Sequence, residues 1–233
     1  MLAIEERTRP AASLLGEPPA LQNGDRLHSQ EFLRRYEAMP ELKKAELIEG
    51  VVYIGSPVSA EEHSEPDGLI HTWLGTYAAH TPGVRFFPNT TVILDADNTP
   101  QPDACLCLRP GRGGRTRISS KKYLTGAPEL IAEIAASSAS LDLNDKMDAY
   151  ARNGVSEYLV WRTLERRFDW FVLENESYIA LPLDPRGLLR SKIFPGLVLD
   201  VNALLAMNAP RVLSVLGRGL ASAGHKSFVA SLS

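Results

Sequence analysis

Glu129-Leu130-Ile131-Ala132-Glu133-Ile134-Ala135 is the stretch on which the fold turns. It is short, almost wholly apolar, and carries a carboxylate, Glu133, in its middle. A run of this length and composition reads as a central strand covered on both faces. A carboxylate there costs several kcal/mol unless it is paired or bound to a cation. No basic residue lies within several positions of Glu133, so its partner must come from elsewhere in the fold.

Outward from this run, the segments alternate in character. Before it, residues 84–87, 90–94 and 103–108 read as successive strands, and residues 109–122 as a Gly-rich loop. After it, a helix is expected over about residues 141–153, closed by Gly154. Strands follow over residues 157–161 and 168–173, with a third around Tyr178. From 201 to about 221 the apolar spacing is helical. Upstream, Ser29 reads as the N-cap of a short helix carrying Phe32, Leu33, Tyr36 and Met39. Residues 46–54 read as a hairpin turning at Glu49-Gly50, and about 67–79 as a helix stopped by Pro82-Gly83. The fold class is therefore α+β, a mixed sheet flanked by helices. Residues 1–25, with Pro18-Pro19, read as a tail with little regular structure, and residues 209–233 as a C-terminal helical extension.

Composition narrows the function classes. The 233 residues are 44% hydrophobic and 23% charged, ordinary for a globular chain. A net charge of −3 does not suggest a protein that coats itself in nucleic acid or anionic lipid. Cys105 and Cys107 are the only cysteines, two apart on one strand, poorly placed for a disulfide and too few for a structural zinc site. The first residues mix charges and lack an apolar core, so no secretory signal is expected. No segment approaches the roughly 20 apolar residues of a membrane helix. The expectation is a cytoplasmic protein with no membrane partner.

The chemistry rests on three elements. Asp103 opens one apolar strand and Glu133 sits inside another, although Asp103 alone would also suit a turn. Two carboxylates converging from adjacent strands suit a hard divalent cation such as Mg²⁺, with substrate phosphate completing its shell. On the following helix Asp142, Lys146 and Tyr150 fall at i, i+4 and i+8, along one face. That is either a surface ion pair of about 0.3–0.5 kcal/mol or a way to return Lys146 to the carboxylates, where it would orient water and stabilise phosphate charge. Arg109, Arg112, Arg115, Arg117, Lys121 and Lys122 share an acid-free segment with three glycines. It is either a solvated loop or a mobile clamp for a polyanionic backbone.

Pro102-Asp103 followed by Glu133-Ile134-Ala135 resembles the Pro-Asp … Asp/Glu-x-Lys signature of the PD-(D/E)XK nuclease superfamily. The wider chain resembles its Uma family of restriction-type endonucleases. The resemblance is carried by Glu46-Leu47-Ile48-Glu49-Gly50, Ser56-Pro57 with His63, Gln101-Pro102-Asp103, Ala127 to Ser137, Asp142 to Tyr150, Asn153 to Tyr158, and Phe194-Pro195-Gly196-Leu197. It implies a restriction-endonuclease-like core over residues 26–208. Asp103, Glu133 and the carbonyl of Ile134 would hold Mg²⁺ or Mn²⁺, and Glu46 would be an additional acid. The superfamily lysine position is Ala135 here, so Lys146 would supply the cation from the helix. His63 matches a family histidine, though a lone histidine near a helix start more often caps or packs. The implied activity is a metal-dependent endonuclease on phosphodiester bonds, with duplex DNA held by the basic loop. A homodimer is plausible, with Val212-Leu213-Val215-Leu216 serving an interface or, more readily, the core. Ala135 and the acidic net charge motivate the alternative: a catalytically inactive nuclease-fold module for nucleic-acid binding or assembly. A hydrolase of a small phosphoester is a third reading.

Overall fold

The computed structural model describes residues 18–232, so the tail expected over residues 1–25 lies outside the described residues up to residue 17. Beyond it, Leu21 is buried against Phe32, Leu33 and Leu47, and Gly24 N–H donates to Val52 O. Helix α1 (Ser29–Tyr36) follows. Ser29 does not cap it; Ser29 is its first residue, and its hydroxyl donates to Asp95 O at 2.7 Å, drawn there instead. Strands β1 (Ala45–Ile48) and β2 (Val51–Ile54) form the expected hairpin. Glu49 and Gly50 both have positive φ, 52° and 70°, the backbone that a two-residue turn between twisted strands requires.

A π-helical turn (Ala60–Ser64) leads into α2 (Glu65–Ala79). Strands β3 (Val84–Pro88), β4 (Val92–Ile93) and β5 (Ala104–Leu108) come next. The segment 109–122 is not wholly loop: β6 (Arg117–Ile118) pairs with β7 (Leu124–Thr125), which runs parallel to β4 in a small side sheet. The strand expected over 90–94 shrinks to β4 because it belongs to that side sheet and not to the central one. Strand β8 (Leu130–Ala135) is buried at every position.

Between β8 and the next strand, the single helix expected over 141–153 is two: α3 (Ala139–Leu143) and α4 (Asp145–Arg152). The break is Asn144 (φ −122°, ψ −91°), whose side-chain amide donates to Ser140 O at 2.6 Å. A short polar side chain bonding local backbone competes with the helical ladder in this way. Strands β9 (Glu157–Arg162), β10 (Arg167–Glu174) and β11 (Ser177–Ala180) form a meander. A hairpin of β12 (Leu188–Arg190) and β13 (Val198–Asp200), which the sequence pattern had not indicated, precedes α5 (Val201–Leu205), α6 (Ala209–Leu220) and α7 (Ala223–Ser231).

The central sheet has the order β11-β10-β9-β8-β5-β3 and is antiparallel except for the β8–β9 pair, which α3 and α4 connect. It is thus a mixed sheet flanked by helices. Alternation along β8 sends Leu130, Ala132 and Ile134 to the α2 face, where they join Trp73, Tyr77, Val212 and Leu216. Ile131 and Ala135 go to the other face with Cys105, Tyr150 and Tyr158. Trp73 meets Trp170 edge-on at 5.8 Å, and its indole N–H donates to Val198 O. Val212, Val215 and Leu216 are buried within the chain's own core, so α6 spends its apolar face there. No helix among the described residues is long and apolar enough to cross a membrane.

Helix α6 packs closely on the turn before β13. A Cβ added to Gly219 would stand 2.1 Å from Gly196 O, backbone that no side-chain rotation can move aside. Gly219→Ala should therefore lower stability by about 1–3 kcal/mol, the usual cost of overpacking, read as a reduced urea midpoint at unchanged m.

Candidate active site

Strand register brings the two carboxylates together. The pairs Ala104↔Ala132, Cys105↔Ile131 and Leu106↔Leu130, continued by one residue, set Asp103 opposite Glu133 on the α4 face of the sheet. Asp103 is almost fully buried: Oδ2 accepts from Ile134 N–H at 2.8 Å, Oδ1 lies 3.0 Å from Lys44 Nζ, and His63 Nε2 stands 3.5 Å from Oδ2. Glu133 Oε1 accepts from Tyr150 at 2.8 Å and from Lys146 at 3.0 Å. Lys146 Nζ also lies 3.1 Å from Glu46 Oε2 and 3.3 Å from Asp142 Oδ1. The break at Asn144 does not separate Asp142 from this cluster; both it and Lys146 are buried. Glu46 is held in turn by Gln101 N–H, which donates to Oε1 at 2.7 Å.

These groups line an open cavity of about 570 Å³, walled by β1, the 55–64 segment, β8 and α3. Four expected residues, Asp103, Glu133, Lys146 and Glu46, are thus brought to one place, and Ile134 borders it. His63 also faces the cavity; the cap of its turn is Ser59, which accepts from Glu62 N–H. Lys44, Asp67 and His71 escaped the sequence reading. Lys44 precedes Glu46 by two, the spacing that shares a strand face. His71 Nε2 is 2.8 Å from Asp103 O and 3.0 Å from Asp67 Oδ1. Both partners are acceptors, so Nε2 carries the hydrogen. Their only sequence signal was the i, i+4 spacing of Asp67 and His71.

The basic loop lies elsewhere. It leaves β5 at Leu108, five residues from Asp103, roughly 17 Å along a strand. Its backbone is latched by buried Glu129, which accepts from Leu108 N–H and Arg115 N–H. Arg115 also bonds Gly154 O and Ser156 Oγ, and Lys121 pairs with Glu37. None of its residues lines the cavity.

Electrostatically, the cluster has four buried carboxyls for two ammonium groups. Burial raises Asp103, but the His63 contact, the Lys44 charge and the Ile134 N–H outweigh it and hold the group well below the ordinary carboxylate range. Glu133 goes the other way: burial, reinforced by Asp103, Asp142 and Glu46, overcomes Lys146 and pushes it up to about 8. Burial also raises Asp142 against the pull of Lys146, and its Oδ1, 3.3 Å from Lys146 Nζ, is buried without a hydrogen bond. Burial disfavours the Lys146 ammonium, yet Glu133, Glu46 and Asp142 keep it charged.

Surplus oxygen donors with an orphaned carboxylate oxygen fit a hard cation. Among the described residues no three His, Cys, Asp or Glu side chains stand ready to enclose one. A cation here would rest on two carboxylates, a backbone carbonyl and water, as Mg²⁺ commonly does.

A family model described as "Putative restriction endonuclease", Uma2, matches residues 29–202. The chain belongs to the Uma2 family. The match covers every residue that lines the cavity except Asn23. Among solved structures, that of "a putative nuclease belonging to DUF820 from Anabaena variabilis ATCC 29413" superposes with a TM-score of 0.57 at 14% identity, over 75% of this chain and 97% of that one. At that identity the likeness establishes a shared fold. No curated protein matches the Uma2 chain.

Two outcomes follow from the charge cluster. Lys146→Met leaves three buried carboxylates without their shared counter-ion and should cost about 3–5 kcal/mol in urea unfolding; adding Glu133→Gln should recover part of it. Glu133 titrates near 8 in the fold against an ordinary 4.5, so the folded state holds this proton more tightly. Its stabilising contribution is full below about 4.5 and lost as pH rises through 8. In EDTA the melting temperature should fall between pH 6 and 9, and Glu133→Gln should flatten that decline.

Proposed function

We propose that this Uma2 chain is a Mg²⁺- or Mn²⁺-dependent endonuclease that hydrolyses phosphodiester bonds, with DNA as its substrate. The observation that carries this reading is the Asp103–Glu133 pair, set opposite each other across adjacent strands at the floor of an open cavity. Asp103, Glu133 and the Ile134 carbonyl would hold the cation. When bound, it would supply charge neutralisation at the phosphate and a more acidic water. Lys146 and Tyr150 fix Glu133 in place, Lys146 also draws Glu46 toward it, and His71 with Ile134 N–H pins Asp103. Cutting both strands of a duplex would need a reorientation or a second site, which another copy of the chain would supply. The basic loop would then contact phosphates away from the scissile bond. Two free, buried cysteines accord with a reducing, cytoplasmic setting.

The alternative of an inactive module is favoured by Ala135, which leaves no lysine two residues after Glu133. Supercoiled plasmid incubated with protein in Mg²⁺, Mn²⁺ or EDTA separates the two. The nuclease should nick it only with metal, and Asp103→Ala should lower the rate on the order of 10²–10³-fold, as deleting one preorganised group commonly does. Metal-independent DNA binding with no cleavage under any condition would establish the inactive module instead.

A further inference from the structure

We propose that Lys44, not Lys146, is the cation that meets the substrate phosphate in this cavity, an inference that rests on the nuclease reading above. An ammonium group has three N–H donors. Lys146 lies within 3.3 Å of three carboxylates, Glu133, Glu46 and Asp142, and its side chain is 3% exposed. Its charge is shared among these three buried groups, with a hydrogen bond to Glu133, and turning the ammonium toward a phosphate would strip buried carboxylates of their counter-ion. Lys44 is placed differently. Its side chain is 31% exposed, it lines the cavity, and Asp103 is its one ion-pair partner among the described residues. Two of its donors remain for a ligand entering beside Asp103.

The stem of Lys44 is also held. Gly55 N–H donates to Lys44 O at 3.1 Å, and a Cβ at Gly55 would stand 3.3 Å from Lys44 Cβ, so the hairpin's outgoing strand closes directly against it. A lysine with its base fixed and its head half open is suited to a phosphoryl oxygen. Among the described residues no other lysine or arginine side chain competes for that place: apart from Lys146, none lines the cavity, and the basic loop has no residue there.

The test uses the full chain as wild type, Lys44→Gln and Lys44→Arg, with Lys226→Gln as a surface control. Plasmid nicking in Mn²⁺ is measured beside anisotropy of a fluorescein-labelled 16-nucleotide strand in Ca²⁺ at several salt concentrations. Lys44→Gln should lower kcat on the order of 10²-fold, weaken strand binding about tenfold and reduce the salt slope by about one. Lys44→Arg should keep most of the binding. Wild-type cleavage that persists undiminished in Lys44→Gln would overturn the inference while leaving the nuclease reading intact. Binding by wild type without cleavage, lost in Lys44→Gln, would sustain Lys44 and remove the hydrolytic reading. A wild type that neither binds nor cuts removes both. Should Lys44→Gln fold poorly, acetylation of the wild-type protein decides the same point by peptide mass spectrometry. The strand should protect Lys44 and leave Lys146 unlabelled throughout; an unprotected Lys44 would refute the assignment.

Discussion

A carboxylate placed in the middle of a strand buried on both faces has to be answered from outside that strand. Glu133 is answered by α4, whose Lys146 and Tyr150 both reach Oε1. Much of the surrounding architecture follows from this need. The α3–α4 crossover between β8 and β9 must lie on the Glu133 face, and Lys146 must sit at the depth of the sheet and not at the helix surface. Once Lys146 is buried, it cannot remain a simple pair. Its charge also faces Glu46 from the hairpin and Asp142 from α3, so one desolvated ammonium ties three separate elements together.

Such a cluster is a poor device for stability alone. Well-packed apolar residues of similar volume often stabilise a core as well as a buried ion network or better. Here the balance is worse than even, since four carboxyls share two lysines and Asp142 Oδ1 is left without a hydrogen bond. The fold tolerates this by keeping Glu133 protonated up to about pH 8 and by giving Asp103 a backbone N–H. Strain of this electrostatic kind, concentrated at the floor of a cavity, is the signature of a site arranged for something other than folding.

The legible part of the molecule was the part governed by short-range rules. A short, almost wholly apolar run identified β8, the Glu49-Gly50 turn marked the hairpin, and i, i+4 spacing placed Asp142, Lys146 and Tyr150 on one face. Those rules point to Asp103, Glu133 and Lys146, because Glu133 and Lys146 lie on regular elements and Asp103 directly precedes one; Glu46 came from the family resemblance. What they miss depends on contacts between distant segments. Asn144 breaks its helix through a local side-chain bond that competes with helical pattern, and Ser29 forgoes capping to bond Asp95 O. Lys44 lies just before β1 and acquires meaning only when Asp103 arrives from 59 residues away. The setting of the basic loop likewise depends on a contact outside the run: buried Glu129 holds its backbone at Leu108 and Arg115.

The resulting distribution of charge bears on how a polyanion would reach the cavity. Lys121 is paired with Glu37 and Arg115 with Glu129, Gly154 and Ser156, while the cavity itself carries more carboxylates than ammonium groups. A phosphodiester entering it would meet net repulsion unless that surplus were first neutralised. On the nuclease reading, affinity for the cation and affinity for the nucleic acid are then coupled, and by linkage each must raise the other by the same factor. The half-exposed Lys44 would be the local exception to that repulsion. It is a fixed positive charge beside Asp103, and it offers a phosphoryl oxygen one favourable place in an otherwise acidic floor.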